Sequence, residues 1–275
     1  MSAAGAGAGD RHATRDAAGG HRVSAIALDR LLQSQGFGTR RQCRALVAAG
    51  HVCVGGETVL DAQRPFDTAA LQFTVRGEAW TYRERVYVAL NKPPGHECSR
   101  RPSHHPSVLE LLPQPLRERG VQPVGRLDHD TTGLLLLSDD GGFVHAQSSP
   151  RRKVPKRYLA TTHDAVDAQL VARLLAGVCL RDEPQPLAAL ACEAVGTHRI
   201  MIAVDQGKYH QVKRMLAAAG HHCVALQRVA IGGLCLRSLA LEQGAWCYLG
   251  ESERALLGGA VAAGALSPGP AGTQA

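Results

Sequence analysis

Asp128 occupies the most informative position in the sequence, because it lies shortly before a run of leucines that must be buried. The four leucines from 134 to 137 follow it, and they predict a strand with both faces covered. A carboxylate at the edge of such an apolar wall is costly unless it is paired. A paired carboxylate can act as a nucleophile or as a general base. The alternative is an ordinary turn aspartate that caps its own backbone.

A partner for Asp128 is expected in the segment Gln206 to Met215, where a strand turns into a helix. The helix has one apolar face, and Lys213 and Arg214 flank it. A cation at such an edge can reach a carboxylate on the adjoining sheet, keep it ionised and fix its orientation.

Lysine is rare in this chain, with five among 31 basic residues. They fall in three short segments, as Lys92, Lys153, Lys156, Lys208 and Lys213. A chain so biased toward arginine is expected to keep lysine where a compact ammonium is needed rather than a guanidinium fork. The alternative is chance clustering. The three segments are therefore candidates for functional positions.

Two basic clusters are candidate phosphate contacts. The first places five positive charges within seven residues, at Arg151, Arg152, Lys153, Lys156 and Arg157. The second gathers at the first turn of a predicted helix, at Arg40, Arg41 and Arg44. Cations at that end oppose the helix dipole, and RNA phosphates would complete the unfavourable placement. A solvated basic surface is the alternative for both clusters.

The composition favours two domains and a polyanionic partner. The chain has 275 residues and a net charge of +7, with an isoelectric point near 9.2. This balance suits nucleic acid, nucleotide or acidic lipid. Hydrophobic residues make up 45% and aromatic residues only 4%. A core of Leu, Val and Ala is therefore expected, and any exposed tyrosine is a candidate for a specific role.

The cysteine pattern and the hydropathy favour a cytoplasmic protein with reduced thiols. The eight cysteines form no C-x-x-C pair, and a chain of this size does not need disulfides. No apolar run reaches the roughly 18 residues of a membrane span, and no signal peptide is expected. The histidine pairs at 104–105 and 221–222 lack metal-ligand spacing, so no metal site is predicted.

Local patterns predict a small unit of helices and a hairpin, followed by a larger domain. A T-x-x-Q capping box at Thr39 and Gln42 begins the second of two helices, and Gly55-Gly56 forms the hairpin turn. We predict domains at 25–72 and 85–257, a linker at 73–84, and disordered tails at 1–24 and 258–275.

Strands and helices occur in mixed order in the larger domain, which favours an α+β fold around an antiparallel or mixed sheet. The strand candidates are 134–137, 157–162, 199–204 and 233–241. The helix candidates are 107–112, 142–148, 164–176 and 210–219.

Four segments resemble the pseudouridine synthases. Residues 124–142 resemble their G-R-L-D-x-x-T-x-G-L-L-L-L-x-x-D-G motif. Residues 90–95 and 206–215 resemble their L-N-K-P-x-G and G-K-Y-H-Q-V-K-R-M segments, and 25–72 are similar to an S4-type RNA-binding domain. The Y-H-Q-V-K-R-M residues resemble the branch that modifies small-subunit 16S rRNA more than the large-subunit enzymes.

The resemblance implies an isomerisation without a cofactor, in which the N1–C1′ bond of a uridine breaks, the uracil turns, and C5 joins C1′. It implies that Asp128 is the catalytic carboxylate, either as nucleophile at the sugar or as the base that removes a C2′ proton. Tyr158 would pack on the flipped base, and Lys213 would pair with Asp128. Arg126 either enters the gap left by the base or braces its loop. The further RNA contacts predicted in the motifs are Lys92, His210 and Arg214.

The expected partner is ribosomal RNA, most specifically 16S rRNA within a small-subunit assembly intermediate, and the expected state is a monomer. A 23S rRNA pseudouridine synthase and a non-catalytic rRNA-binding assembly factor are alternatives. The full set of carboxylate, tyrosine and cation argues against a mere binding protein. Metal-dependent hydrolysis at Asp139 and Asp140 is a third, which their turn-like Asp-Asp-Gly-Gly context disfavours.

Overall fold

The computed structural model describes residues 25–258, which form a small domain and a larger one. The tails predicted at 1–24 and 258–275 lie outside these residues, apart from Gly258. None of the helices in the described part of the chain is long and apolar enough to cross a bilayer.

The small domain consists of two helices and two small sheets around one apolar cluster. Its elements are β1 (Ala25–Ala27), α1 (Leu28–Ser34), α2 (Arg40–Ala48), β2 (Val52–Val54), β3 (Glu57–Thr58), β4 (Pro65–Asp67), β5 (Gln72–Val75) and β6 (Glu78–Thr81). The predicted capping box is confirmed, because the Gln42 side chain accepts the Thr39 amide N–H at 2.7 Å. The predicted hairpin at Gly55-Gly56 is also confirmed, as the β2–β3 pair.

The linker predicted at 73–84 is wrong for most of its length, because β5 and β6 belong to the sheet of the small domain. The order of that sheet is β3-β2-β5-β6, and Phe73 and Val75 of β5 are buried in the domain's apolar cluster. A domain of this size buries little apolar surface, so a further hairpin with a buried face enlarges its core. Arg76 and Gly77 have φ of 53° and 84°, as a tight hairpin turn requires.

The larger domain is built on a nine-stranded sheet. Its strands are β7 (Tyr87–Lys92), β8 (Gln122–Val124), β9 (Thr132–Ser138), β10 (Lys156–Thr162), β11 (Ala191–Gly196), β12 (Arg199–Val204), β13 (Cys223–Ile231), β14 (Leu234–Cys235) and β15 (Trp246–Tyr248). The order is β11-β12-β10-β13-β9-β7-β15, with β14 on β13 and β8 on β9. The β13–β9 pair is parallel, whereas β10 pairs antiparallel with both of its neighbours. The predicted α+β class with a mixed sheet is confirmed.

Short helices connect these strands. They are α3 (Gln114–Glu118), α4 (Gly141–Ser148), α5 (Ala168–Ala176), α6 (Gln211–Ala218) and α7 (Glu251–Leu256), together with 3-10 turns at Val108–Leu111, Pro150–Arg152 and Leu236–Leu239. Helix α5 begins later than predicted, because Asp167 accepts the Leu170 amide N–H at 2.7 Å and caps it. The strand predicted at 233–241 is wrong beyond Cys235, where the chain turns into a 3-10 helix.

Strand β13 lies at the centre of the sheet but is not predicted by the sequence pattern. Gln227 and Arg228 interrupt its apolar residues, and a charged residue in the middle of a strand usually indicates exposure. Arg228 is nevertheless 2% exposed, because its Nε donates to the Leu134 carbonyl at 2.7 Å. This interaction joins β13 to β9 beside their parallel pairing.

The leucine run in β9 is buried on both faces, as predicted, with each side chain at most 1% exposed. Leu135 and Leu137 pack into one apolar cluster, and Leu134 and Leu136 pack into another on the opposite face. Strand β9 therefore gives the turn that precedes it a rigid attachment on one side.

Arg119 joins the two domains through four polar contacts. Its Nη2 is 2.7 Å from Asp139 Oδ2 in the larger domain. Its Nη1 donates to Gln35 Oε1 at 3.0 Å. Its Nη2 also donates to the carbonyls of Arg83 at 2.9 Å and Glu84 at 3.1 Å. The backbones meet closely at the same place, since a Cβ on Gly36 would lie 1.9 Å from the Pro115 carbonyl oxygen. These contacts orient the small domain on the larger one.

Gly133→Ala is expected to destabilise the larger domain more than Gly120→Ala. Both glycines have positive φ, at 100° and 86°, and either alanine costs about 1–2 kcal/mol for that conformation. At Gly133 a Cβ would also lie 2.3 Å from the Arg228 carbonyl oxygen, whereas at Gly120 it meets nothing within 4 Å. We therefore expect about 1–3 kcal/mol of additional loss for Gly133→Ala, measured by urea unfolding monitored with circular dichroism. Equal losses in the two variants would contradict the close approach of β9 and β13.

Candidate active site

Asp128 lies in the turn between β8 and β9, with its side chain 25% exposed. Its carbonyl accepts the Thr131 amide N–H at 3.1 Å and closes the turn. The carboxylate faces a cleft that is also lined by Arg126, Tyr158, His210 and Leu226. A carboxylate at the wall of a partly apolar cleft is suited to act on a bound molecule.

Lys213 approaches Asp128 from α6, as predicted, but it is shared with a second carboxylate. Its Nζ is 3.5 Å from Asp128 Oδ2 and only 2.6 Å and 2.8 Å from the two carboxylate oxygens of Asp130. Sequence reasoning missed Asp130. The available signal was its position two residues after Asp128 in the same turn.

The pKa values of this pair favour the charged forms. Burial tends to lower the pKa of Lys213, but the hydrogen bond and charge of Asp130, with the charge of Asp128, raise it above its ordinary value. Burial tends to raise the pKa of Asp130, but the hydrogen bond and charge of Lys213 lower it below its ordinary value. Lys213 therefore remains an ammonium at neutral pH.

His210 also contacts Asp128, whereas the sequence predicts it as an RNA contact. Its Nε2 is 3.2 Å from Asp128 Oδ1. His210 precedes α6 with a φ of 45°, a left-handed conformation that is strained for a residue other than glycine and is frequent at functional sites. Each of the two oxygens of Asp128 thus has a side-chain nitrogen within 3.5 Å.

Tyr158 lies on β10 and lines the same cleft as Asp128. It pairs with Arg228 of β13, and its side chain packs beside two apolar clusters. The fold therefore brings the three predicted catalytic residues, Asp128, Tyr158 and Lys213, to one place.

The prediction that Lys92 contacts RNA is wrong, because its side chain is fully buried. Its Nζ donates to the carbonyls of Pro93, His129 and Thr131, each at 3.0 Å. Burial lowers the pKa of Lys92 from its ordinary value. The ammonium binds the turn that carries Asp128 and leaves no donor facing the solvent.

Two basic residues of α2 have a carboxylate partner within the protein, whereas the sequence pattern predicts RNA phosphates in that role. Asp29, which is fully buried, accepts hydrogen bonds from Arg40 Nε at 2.8 Å and from Arg44 Nε at 2.7 Å. Burial tends to raise the pKa of Asp29, but these bonds and one from Gln63 lower it well below its usual range. A carboxylate in the same domain therefore offsets one of these two positive charges, and Arg40 and Arg44, with side chains 39% and 51% exposed, remain predicted RNA contacts. Arg41 is exposed and remains a predicted RNA contact.

The basic segment 151–157 divides into exposed and inward-facing parts. Arg151, Arg152 and Lys153 are exposed and remain predicted phosphate contacts. Lys156 is half-buried, its Nζ donates to the Val154 carbonyl at 2.8 Å, and burial lowers its pKa to about 8. Arg157 is 5% exposed, and its Nη2 donates to Cys235 Sγ at 3.0 Å. The predicted phosphate contacts of this basic cluster are thus limited to its first three residues.

Arg126 and Arg214 both lie near the cleft. Arg126 is exposed and lines it beside Asp128, so its two predicted roles are both sterically open. Arg214 donates from Nη1 to the Tyr209 carbonyl at 3.2 Å, and its Nη2 is 3.5 Å from Asp182. Arg214 therefore braces the start of α6, and its contact with RNA remains a prediction.

Comparisons with known sequences match both domains. The RNA pseudouridylate synthase family matches residues 86–218, and the S4 domain family matches residues 28–68. The uncharacterized RNA pseudouridine synthase YtzG of Bacillus subtilis is 36% identical over 84% of this chain and 98% of its own length. The ribosomal small subunit pseudouridine synthase A of Haemophilus influenzae is 34% identical over 83% of this chain and 97% of its own length.

A solved structure described as a pseudouridylate synthase shares the fold. It has a TM-score of 0.59 and 33% sequence identity, over 84% of this chain and 99% of the solved chain. Both domains of the described structure are thus found together in relatives that align over almost their whole length. The chain, with its S4 domain and its Asp128 cleft, therefore belongs to the RNA pseudouridylate synthase family.

Proposed function

We propose that this enzyme converts a uridine of small-subunit (16S) ribosomal RNA to pseudouridine, with Asp128 as the catalytic carboxylate. The observation that carries the proposal is the position of Asp128 in the cleft, between His210 and Lys213 and beside Tyr158. The ribosomal target is supported by the relatives named ribosomal small subunit pseudouridine synthase A, including that of Escherichia coli, which is 39% identical over 61% of this chain.

The reaction requires one ionised carboxylate and no change in redox state. The N1–C1′ bond breaks, the uracil turns, and a C5–C1′ bond forms. The proton on C5 is lost and N1 gains one, so the atoms and electrons of the base balance. Asp128 either attacks C1′ and forms a covalent intermediate or removes the C2′ proton as a base. Lys213 Nζ and His210 Nε2 lie 3.5 Å and 3.2 Å from the Asp128 carboxylate and orient it in the cleft.

Asp130 has a supporting role in this proposal. It holds Lys213 by two short contacts, so the ammonium keeps its position near Asp128 when substrate enters. A lysine with a single carboxylate partner would pair closely with Asp128 and block its attack. Sharing Lys213 leaves the 3.5 Å contact to Asp128 longer than the contacts to Asp130.

The remaining groups position the RNA. A uridine must leave its stack to reach the cleft, and the ring of Tyr158, which lines the cleft, then packs on the base. Arg126 lies beside Asp128 on the cleft rim. The exposed residues Arg151, Arg152 and Lys153, with Arg41 of the S4 domain, contact phosphates and thereby select which uridine enters.

Asp128→Asn is expected to reduce pseudouridine formation by at least about 10³-fold, because the amide can neither attack C1′ nor accept a proton. Release of tritium from an rRNA transcript labelled with [5-³H]uridine measures the reaction. RNA binding, measured by filter retention, is expected to stay close to that of the wild type. Asp164→Asn is the control, since the Asp164 side chain is exposed and pairs with His163, and neither residue lines the cleft. Comparable activity of Asp128→Asn and the control would disprove the catalytic role.

Lys213→Met is expected to lower kcat by about 10²–10³-fold, whereas Lys213→Arg retains most of it. The methionine leaves Asp128 and Asp130 without their shared cation, and the pKa of Asp130, which the contact with Lys213 lowers, returns toward its ordinary value. An arginine can bridge both. The two variants distinguish charge from packing, because arginine restores the positive charge and methionine does not. Equal kcat values in Lys213→Met and Lys213→Arg would contradict the electrostatic role.

Deletion of the gene is expected to remove one pseudouridine from small-subunit rRNA. Chemical mapping of both rRNAs from the deletion strain measures this, with wild-type and Asp128→Asn genes supplied for comparison. Restoration by the wild type alone supports the proposal. Loss of a pseudouridine from large-subunit rRNA instead would overturn the proposed small-subunit target, but it would not contradict the proposed reaction.

A further inference from the structure

We propose that the exposed ring of Tyr209 binds the nucleotide next to the target uridine by stacking on its base. This inference rests on the proposed function, because it assigns a second nucleotide subsite beside the Asp128 cleft. It concerns a residue that neither the reaction nor the phosphate contacts use.

Tyr209 is unusual in its exposure. All five tyrosines of the chain lie within the described residues, and Tyr209 is the one that is mostly exposed, at 70%. Aromatic residues make up only 4% of the sequence, so an exposed aromatic ring is a notable feature of this chain. An aromatic ring left in water beside a cleft is a common feature of sites that bind unstacked bases.

The ring of Tyr209 stacks on His210, and the edge of the His210 ring contacts Asp128. The Tyr209 and His210 rings have centroids 3.9 Å apart and planes inclined by 17°. The Nε2 of His210 is 3.2 Å from Asp128 Oδ1. One face of Tyr209 is thus covered by His210, and, with 70% of the residue exposed in the described part of the chain, the other face is open to a base. That base would lie one aromatic layer beyond the edge of the cleft.

The backbone of this segment holds the ring in place before RNA binds. Arg214 Nη1 donates to the Tyr209 carbonyl at 3.2 Å, and His210 is fixed at the start of α6 by its left-handed conformation. A preorganised ring loses little conformational freedom on binding. When the target uridine leaves its stack, its neighbour loses a stacking partner, and Tyr209 replaces that partner.

The same geometry would suit a second role for Tyr209, and the two roles predict different kinetic effects. If Tyr209 only held His210 on Asp128, it would be a positioning residue, and its loss would change kcat and the pH profile. A stacking residue acts on substrate binding and changes KM. Any large apolar side chain could cover His210, but only an aromatic ring can stack on a base.

The test compares Tyr209→Phe, Tyr209→Leu and Tyr209→Ala in the tritium-release assay with labelled small-subunit rRNA. We expect KM to rise about 10-fold for Leu and Ala, within the range of base–aromatic stacking, with kcat and its pH profile unchanged. Tyr209→Phe should keep a KM close to that of the wild type. Thermal unfolding of each variant should be unchanged, because the side chain is largely exposed.

A fluorescence measurement observes the stacking itself. A fragment of small-subunit rRNA around the mapped uridine carries 2-aminopurine at the neighbour on either side in turn. Binding of the wild type and of Tyr209→Phe should quench one of the two probes, and binding of Tyr209→Leu should not. This readout depends on binding alone and uses variants that keep a large side chain.

The outcomes separate this inference from the proposed function. An unchanged KM in Tyr209→Ala, equal behaviour of Leu and Phe, or a change in kcat alone would overturn the stacking role. Each of these requires that the wild type converts the RNA, so the proposed function would survive. Failure of the wild type to form pseudouridine in small-subunit rRNA would instead overturn the proposed target.

Discussion

The buried ammonium of Lys92 is the interaction on which the site depends. A charged group that is fully buried is costly unless hydrogen bonds replace its water, and Lys92 uses its three donors on three carbonyls. Two of these, those of His129 and Thr131, alternate along the chain with Asp128 and Asp130. The ammonium therefore fixes the backbone from which both carboxylates project. Strand β7 presents Lys92 opposite Gly133, the second residue of β9, so the same strand pair that builds the sheet also sets the turn.

A second set of polar groups meets at this turn. Asp128, Asp130, His210 and Lys213 come from two segments about 80 residues apart, and they meet because α6 packs on β13, the strand that pairs with β9. The lowered pKa of Asp130 and the raised pKa of Lys213 have the same cause, their mutual contact. Asp130 confines the lysine, while Asp128 keeps one oxygen near His210 and the other at a longer distance from Lys213. A carboxylate that is not tightly paired remains available to a substrate.

The relation between the domains also depends on one polar group. Arg119 lies with 6% of its side chain exposed and contacts Asp139, Gln35 and two backbone carbonyls. Strand β9 begins after the Asp128 turn and ends just before Asp139. One strand therefore joins the cleft to the contact between the domains. The small domain is thereby oriented relative to the cleft through the most deeply buried strand of the sheet. Arg41 of α2 therefore has a defined position relative to the cleft.

The sequence alone determined the features that depend on neighbouring residues. The capping box at Thr39, the glycine hairpin, the buried leucine strand and the α+β class follow from local patterns, and the three proposed catalytic residues were named from motifs. It did not determine where long side chains end. Lys92 and Asp29 are charged residues in a basic, RNA-binding context, and only the packing of β7 on β9 and of α1 on α2 decided that both are buried.

The tertiary structure also decided that β5 and β6 complete the small domain, that β13 passes through the centre of the sheet with Arg228 buried, and that Asp130 shares Lys213. The physical reason is the same in each case. The burial of a polar group depends on partners that are distant in the chain, and a one-dimensional pattern of polarity contains no record of those partners.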